Sequence, residues 1–179
     1  EKNITNMTIQ IKETNLKTNK QLSISEYLPT NIVDVYLIPG EYKIEFIVDD
    51  DKTDGKDYYY TESIPVTQDR ETTIYLFPIA SFRGTVVDKY NNLISGAEIV
   101  LECDKEYVPP VNLTTDKYGA FVTPIVPTGN CIITATYKDF RDQQEVAFNQ
   151  GDFENLDLTL DTRASSSLIL TSILVVIGI

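Results

Sequence analysis

The residues with the clearest capacity for chemistry are the carboxylates of the stretch VDDDKTDGKDYYY, positions 48–60. Carboxylate oxygens are the ligands that Ca²⁺ prefers in proteins. EF-hand spacing fails, because counting from Asp50 places Lys52 at the third position and Thr61 at the twelfth. The favoured interpretation is a solvated loop between two strands. The alternative is a calcium site whose ligands would be Asp49, Asp50, Asp51, Asp54 and Asp57.

Enzymatic chemistry has little support in the residue types. The chain contains no His, so the commonest general acid–base and the commonest metal ligand are missing. No Ser or Cys nucleophile has a His base to activate it, and the phosphate-binding patterns GxxxxGK[ST] and GxGxxG are absent. Paired-acid glycoside chemistry is compatible with the many carboxylates, but no pattern indicates such a pair in a cleft. We therefore predict a protein that is not an enzyme and has no cofactor.

The charge balance argues against nucleic acid as a partner. Lys and Arg total 15, against 27 Asp and Glu, for a net charge of −12. Contacts to a phosphate backbone need a basic stripe or patch, and none is present.

Three features together favour an extracytoplasmic chain. The first residue is Glu1, which fits the removal of a signal peptide. Two cysteines are compatible with a single disulfide. Glycosylation sequons of the N-x-S/T type occur at Asn3, Asn6 and Asn112.

Apolar and polar residues alternate with a period of two over much of the chain, which predicts β-strands. The clearest runs are NMTIQIKE (6–13) and EYKIEFIVDD (41–50). One strand is expected to end and another to start within FPIAS (77–81). The prediction is two tandem immunoglobulin-like or transthyretin-like β-sandwiches, residues 1–79 and 80–161. Turn-forming pairs separate the runs: Pro39-Gly40, Asp54-Gly55, Asn91-Asn92, Ser95-Gly96, Thr128-Gly129 and Gln150-Gly151.

Residues 81–160 carry a recognisable series of motifs: GTVVDKYNNLISGAEIVLEC, then TTDKYGAFVTPIVPTGNCIITATYKDF, then LDLTL. The series resembles carboxypeptidase regulatory-like domains. The resemblance implies a transthyretin-like sandwich of seven or eight strands that serves as a non-catalytic module on a secreted or surface protein. The matching elements are Gly84, Asp88, Gly96-Ala97, Thr115-Asp116, Gly119, Phe121, Pro127, Gly129, Leu156, Leu158 and Leu160.

Both cysteines lie in this second half, on the predicted inward faces of their strands. Cys103 ends the strand AEIVLEC, and Cys131 begins the strand CIITATY. If these strands are antiparallel neighbours, the two sulfurs can meet. Two buried free thiols are the alternative.

The first half carries a fainter pattern. YLIPGEYKIEFIVDD and then YYYTESIPVTQDRETTIYLF, within residues 30–80, are similar to PEGA-type small surface domains. The adjacent Tyr58, Tyr59 and Tyr60 must alternate across a strand, so either Tyr59 or its two neighbours face the core. The exposed tyrosines would cover a sheet face or contact a protein or a glycan.

The last fifteen residues, SSSLILTSILVVIGI (165–179), contain no charge. We interpret them as a C-terminal transmembrane helix inserted in lipid. Counted from Ala164, a helix would span about 24 Å against a hydrocarbon core of about 30 Å, a deficit that a longer native chain would remove. A buried strand and a subunit-packing helix are the alternatives. The predicted anchor residues are Leu168, Ile169, Leu170, Ile173, Leu174, Val175, Val176 and Ile177.

These features lead to one functional hypothesis and two alternatives. The hypothesis is a non-catalytic, single-pass membrane protein whose bulk lies outside the cell as a structural or accessory subunit of an envelope or membrane assembly. The first alternative is a repeating subunit of an extracellular filament or surface layer, linked by the tail or by donation of the N-terminal strand to a neighbour. The second is a module that binds a glycan or Ca²⁺ through residues 49–57.

Overall fold

The computed structural model describes residues 5–162, and its regular secondary structure is entirely β, as predicted. No helix in that range is long and apolar enough to cross a membrane. The predicted anchor, residues 165–179, lies outside the described residues. The strands are β1 (Met7–Asn15), β2 (Gln21–Leu28), β3 (Gly40–Asp49), β4 (Tyr58–Val66), β5 (Phe77–Asp88), β6 (Glu98–Cys103), β7 (Val111–Thr114), β8 (Ala120–Pro127), β9 (Gly129–Tyr137), β10 (Phe140–Phe148) and β11 (Phe153–Leu160).

The second half is a seven-stranded sandwich. The three strands β11, β5 and β8 belong to one sheet, and β10-β9-β6-β7 form the other. One hydrophobic cluster fills the space between them, and its largest fully buried side chains include Phe82, Ile99, Ile133 and Leu158. The transthyretin-like sandwich implied by the sequence motifs therefore has the expected strand number.

The predicted disulfide in this half is confirmed. Cys103 and Cys131 are antiparallel register partners and form the disulfide. In the DKYG turn, the Asp116 carboxylate accepts hydrogen bonds from the backbone N–H groups of Tyr118 and Ala120, at 2.8 and 2.9 Å.

The first half is built differently from the predicted two-sheet sandwich. Its strands form one run, β2-β1-β3-β4, within the large sheet. The apolar face of that run, which includes Ile9, Ile44 and Val48, is covered by two extended segments, 29–39 and 67–76, and not by a second sheet. Exposed and half-buried side chains alternate along residues 32–38 and 73–76, as they do in strands, but neither segment pairs as a strand.

The predicted break between strands at 77–81 is wrong. β5 runs without interruption from Phe77 to Asp88. Its first residues pair with β4, through Tyr59↔Phe77 and Tyr58↔Pro78, and the remainder pairs with β8 and β11. The boundary predicted between residues 79 and 80 therefore falls inside a strand, and one seven-stranded sheet extends through both halves.

Donation of the N-terminal strand to a neighbouring molecule receives no support from the pairing. β1 lies between β2 and β3 and is hydrogen-bonded to both. Ile9, for example, faces Glu26 on one side and Val48 on the other. A strand with two partners inside its own chain has no free edge to offer.

Gly84 allows β5 and β11 to approach closely. A Cβ atom at this position would lie 1.7 Å from the carbonyl oxygen of Leu156, its register partner on β11. The backbone itself must move to admit a side chain, because the obstructing atom is a main-chain oxygen.

We therefore predict that Gly84→Ala lowers the free energy of unfolding by about 3 kcal/mol, because overpacking here displaces the backbone of a strand. Urea denaturation followed by circular dichroism measures the change. Gly40→Ala is the matched control, since its Cβ atom comes no closer than 3.1 Å to a side-chain atom of Tyr42. Equal stabilities for the two variants would contradict the assigned role of Gly84.

Candidate functional site at the junction

The predicted cation-binding loop forms a contact between the two halves. Residues 50–57, here called the acidic loop, connect β3 and β4. The loop lies against residues 149–152, the turn between β10 and β11. The N–H of Gly55 donates a hydrogen bond to the carbonyl of Gly151 at 2.8 Å. We call the region formed by the acidic loop, the β10–β11 turn and the start of β5 the junction.

The centre of the junction is the carboxylate of Asp57, which is fully buried. Its Oδ2 accepts hydrogen bonds from the backbone N–H of Asp50 at 2.7 Å and from the hydroxyl of Thr53 at 2.8 Å. Its Oδ1 accepts one from the side-chain amide of Gln150, across the junction, at 3.2 Å. A buried carboxylate needs such donors to offset the loss of hydration. Asp57 therefore shapes its own loop and binds the opposite half.

The backbone of β5 changes partner at the same place. The N–H of Ile79 donates to the carbonyl of Asp57 at 2.8 Å, and the carbonyl of Ile79 accepts from the N–H of Gly151 at 2.9 Å. Two residues later, the N–H of Ser81 donates to the carbonyl of Asp152 at 2.8 Å. The first half thus provides the hydrogen-bond partner at the beginning of this edge of β5, and the second half provides the partners of the residues that follow.

Gly151 permits this arrangement by its conformation and its lack of a side chain. Its φ is +75°, in the left-handed region that glycine tolerates. A Cβ atom there would lie 2.7 Å from Thr53 and 2.8 Å from Oδ1 of Asp57. Any side chain at 151 would therefore push the acidic loop away from the turn.

A second contact at the junction comes from Tyr107, which the sequence analysis did not single out. Its ring stacks on that of Phe77 with centroids 4.9 Å apart. Its hydroxyl donates to the carbonyl of Pro78 at 2.6 Å and accepts from the N–H of Thr128 at 3.0 Å. Tyr107 lies in the loop that follows Cys103, so the disulfide fixes the base of the loop that carries it.

The five candidate calcium ligands do not converge. Asp57 is buried at the junction, and Asp49 forms an ion pair with Lys56. Asp51 and Asp54 are exposed on the loop, and the half-buried Asp50 accepts a hydrogen bond from the N–H of Lys52 at 3.2 Å. Among residues 5–162, no three His, Cys, Asp or Glu side chains are placed to hold a metal ion. The side chains thus lack the arrangement expected of a calcium site, and binding itself stays untested.

The three tyrosines are covered more fully than predicted. Tyr59 is completely buried, whereas Tyr58 and Tyr60 are half-buried against the core of the first half. The Tyr59 hydroxyl donates to Oε1 of Glu45 at 2.9 Å. Burial, together with this bond, raises the pKa of Tyr59 to about 12. The phenol therefore stays protonated as a donor throughout the physiological range.

Glu45 also pairs with two lysines across its sheet face. Lys43 and Lys12 lie 3.4 and 3.5 Å from its carboxylate. Burial by itself raises the pKa of Glu45, but the Tyr59 hydrogen bond and the two positive charges outweigh it, so the pKa lies below its ordinary value. This network satisfies a half-buried carboxylate and offers no open cleft to a substrate.

Two of the predicted sequons can be placed. Asn6 and Asn112 are both exposed, and Asn3 lies outside the described residues. The Asn6 side chain accepts a hydrogen bond from the Tyr27 hydroxyl at 3.2 Å. Glycosylation of these residues stays a prediction.

A shallow hollow of about 590 Å³ lies on the second half, and β5, β7, β8 and β11 contribute to its lining. Four of its polar side chains bind one another. Arg83 Nε donates to Asn155 at 2.6 Å, and the Thr85 hydroxyl donates to Asp157 at 2.6 Å. These four groups are therefore already paired within the protein.

Comparison with known proteins bears directly on the second half. Residues 81–161 match the model of the carboxypeptidase regulatory-like domain family. The resemblance is confirmed. A search of curated proteins gave no match. The PEGA-type resemblance of residues 30–80 stays a prediction.

Several solved structures resemble the chain in architecture. One is the TIE protein of Bacillus anthracis, at 12% identity and a TM-score of 0.40, with 87% of this chain and 34% of that chain covered. A streptococcal ancillary pilin has 11% identity and a TM-score of 0.39, over 86% and 61%. BcpA, the major pilin subunit of Bacillus cereus, has 10% identity and a TM-score of 0.41, over 89% and 60%. The chain thus spans about a third to three-fifths of these proteins.

We predict that Asp57→Ala lowers the free energy of unfolding by about 2–4 kcal/mol, because it removes the acceptor of three part-buried hydrogen bonds. The measurement is urea denaturation with fluorescence and circular dichroism. Asp54→Ala removes an exposed carboxylate from the same loop and is expected to change stability by less than about 0.5 kcal/mol. Similar losses in both variants would show that the buried carboxylate has no special role.

We further predict that the melting temperature is the same in millimolar CaCl₂ as in MgCl₂ at the same concentration. The physical reason is that protein donors already occupy both oxygens of Asp57 and that Lys56 pairs with Asp49. Differential scanning calorimetry makes the comparison. A calcium-specific increase in the melting temperature that disappears in the double variant Asp51→Asn/Asp54→Asn would contradict this prediction and support a cation site in the loop.

Proposed function

We propose that this chain is a non-catalytic structural subunit on the outside of a cell, anchored in the membrane by residues 165–179. The observation that carries the proposal is the shared strand β5, which joins the two halves through one sheet and not through a linker. Such a body keeps its shape when it is tethered at one end. It can therefore present a partner-binding surface at a fixed distance from the membrane.

The character of the described residues supports a role in contacts. The buried polar clusters at Asp57 and Glu45 consist of groups that satisfy each other. Four polar side chains in the hollow on the second half are paired in the same way. A reaction site requires converging groups that are free to act on a substrate.

The disulfide supports an extracytoplasmic location, because such bonds persist in oxidising compartments. The exposed sequons at Asn6 and Asn112 are compatible with the same location. Membrane insertion of the tail is supported by its sequence, since an uncharged apolar segment of this kind is costly to keep in water.

The first half exposes several large apolar side chains that a partner could cover. They lie on both faces of β2 and on the segment that follows it. They are Leu22, Ile24, Tyr27, Ile32, Tyr36 and Ile38. Their exposure supports contact with other subunits of an assembly.

The experiment compares the full chain with a version that ends at residue 164, both exported by the same signal peptide. We expect the full chain in the membrane fraction after a high-salt wash, with its body open to external protease. We expect the shortened chain in the soluble extracytoplasmic fraction.

Two point variants give a matched control for the anchor. Ile173→Asp places a charge within the apolar segment, at a cost of about 3 kcal/mol for a residue at the centre of a spanning helix, and is expected to reduce membrane recovery. Ser166→Asp adds the same charge within the polar SSS stretch and is expected to have no effect. Recovery of the shortened chain with the membrane, or of the full chain as a soluble protein, would refute the anchoring.

A further inference from the structure

The strand by which the chain enters the second half lies beside the strand by which it leaves. β5 and β11 are parallel and pair over eight consecutive positions, from Ser81↔Phe153 to Asp88↔Leu160. The chain arrives at the beginning of β5 from the first half. It departs from the end of β11, which is at the opposite pole of the sandwich.

This arrangement determines how the domain responds to tension. If the first half and the chain after residue 162 are pulled apart, β5 is drawn toward the junction and β11 away from it. The load therefore acts along the two strands. Because the hydrogen bonds of a parallel pair are evenly spaced along their length, they share this load and must break together.

Side-chain contacts reinforce the pair on its outer face. Each contact joins residues that are 72 positions apart in the sequence, so they repeat along the two strands like rungs. The three rungs are Arg83 Nε to Asn155 Oδ1 at 2.6 Å, Thr85 Oγ1 to Asp157 Oδ1 at 2.6 Å and Lys89 Nζ to Asp161 Oδ1 at 3.0 Å. All three rungs are solvent-exposed, so each adds a modest increment to the resistance.

The inner face resists sliding by burial. Leu158 and Leu160 of β11 are fully buried, whereas Asp157, the residue before them, is exposed. A shift of β11 by one residue would bring Asp157 into the core and move the leucines to solvent. A shift by two residues would return apolar side chains to the core face of β11, but it would separate the side chains that pair in the three rungs.

The junction reinforces the beginning of β11. The acidic loop binds the turn that precedes this strand through Gly55 to Gly151 and Gln150 to Asp57. The first half is thus connected to β5 covalently and to the start of β11 by hydrogen bonds. A force on the end of β11 must overcome both the paired strands and this contact.

We propose that the second half is a tension-bearing module in which the β5–β11 pair is the contact that resists force between the first half and the C-terminal end. The existence of a load in the cell rests on the proposed anchoring. The mechanical resistance itself is a property of the described fold.

Single-molecule force spectroscopy on the full chain in detergent tests this. Handles are attached through azide-bearing residues, so that the native disulfide stays intact. Handles at positions 75 and 163 pull β5 and β11 lengthwise in opposite directions. Handles at positions 90 and 163 pull from one pole and peel the same two strands apart from their ends.

We expect the lengthwise geometry to rupture at no less than double the force of the peeling geometry at the same pulling speed, since peeling breaks the bonds one after another. Reduction of the disulfide shows whether a rupture is the unfolding of the second half, because that unfolding then releases a longer stretch of chain. The 28-residue separation between Cys103 and Cys131 should add ~100 Å to the released length. Equal rupture forces in the two geometries would overturn the proposal.

Thr85→Val removes one rung with little change of shape and is expected to lower the lengthwise rupture force but not the peeling force. Thr159→Val makes the same change at an exposed position of β11 outside the rungs and is the control. Equal effects of the two variants would show that the rungs bear no load. The force ratio does not depend on where the tail resides, so failure of the anchoring test and failure of this one are distinguishable.

Discussion

The hydrogen-bonding requirement of one strand, β5, governs this molecule. Buried backbone N–H and C=O groups cost free energy when they lack partners, and β5 passes from one core into the other. Near Ile79, the partner on one edge changes from Asp57 of the first half to Gly151 and Asp152 of the second. Each half therefore supplies some of the hydrogen bonds that β5 needs, and the two halves behave as one body.

Side chains make this junction specific. The Asp57 carboxylate orders the acidic loop and reaches Gln150 across the junction, while Tyr107 packs against the first residue of β5 from the other side. The disulfide between Cys103 and Cys131 supports the loop that carries Tyr107. These groups satisfy one another, and they stabilise the shape of the junction.

The sequence predicted the features that depend on local pattern and missed those that depend on distant partners. Alternation located β1 and β3, and it placed Cys103 and Cys131 on the inward faces of their own strands. The role of Asp57 depends on Gln150, which is 93 positions away, so local spacing suggested only a cation loop. The expected break at 77–81 failed for a similar reason, because alternation does not reveal that a single strand is shared by two cores.

Amide hydrogen exchange at the junction tests the central claim most directly. In a ¹⁵N-labelled chain, the N–H groups of Gly55, Ile79 and Gly151 donate the hydrogen bonds that join the acidic loop, β5 and the β10–β11 turn. If the halves form one body, these amides exchange as slowly as that of Ile133 in the core of the second half. Exchange as fast as that of the exposed loop residue Asp51 would mean that the junction opens freely, and the account of a shared strand would be wrong.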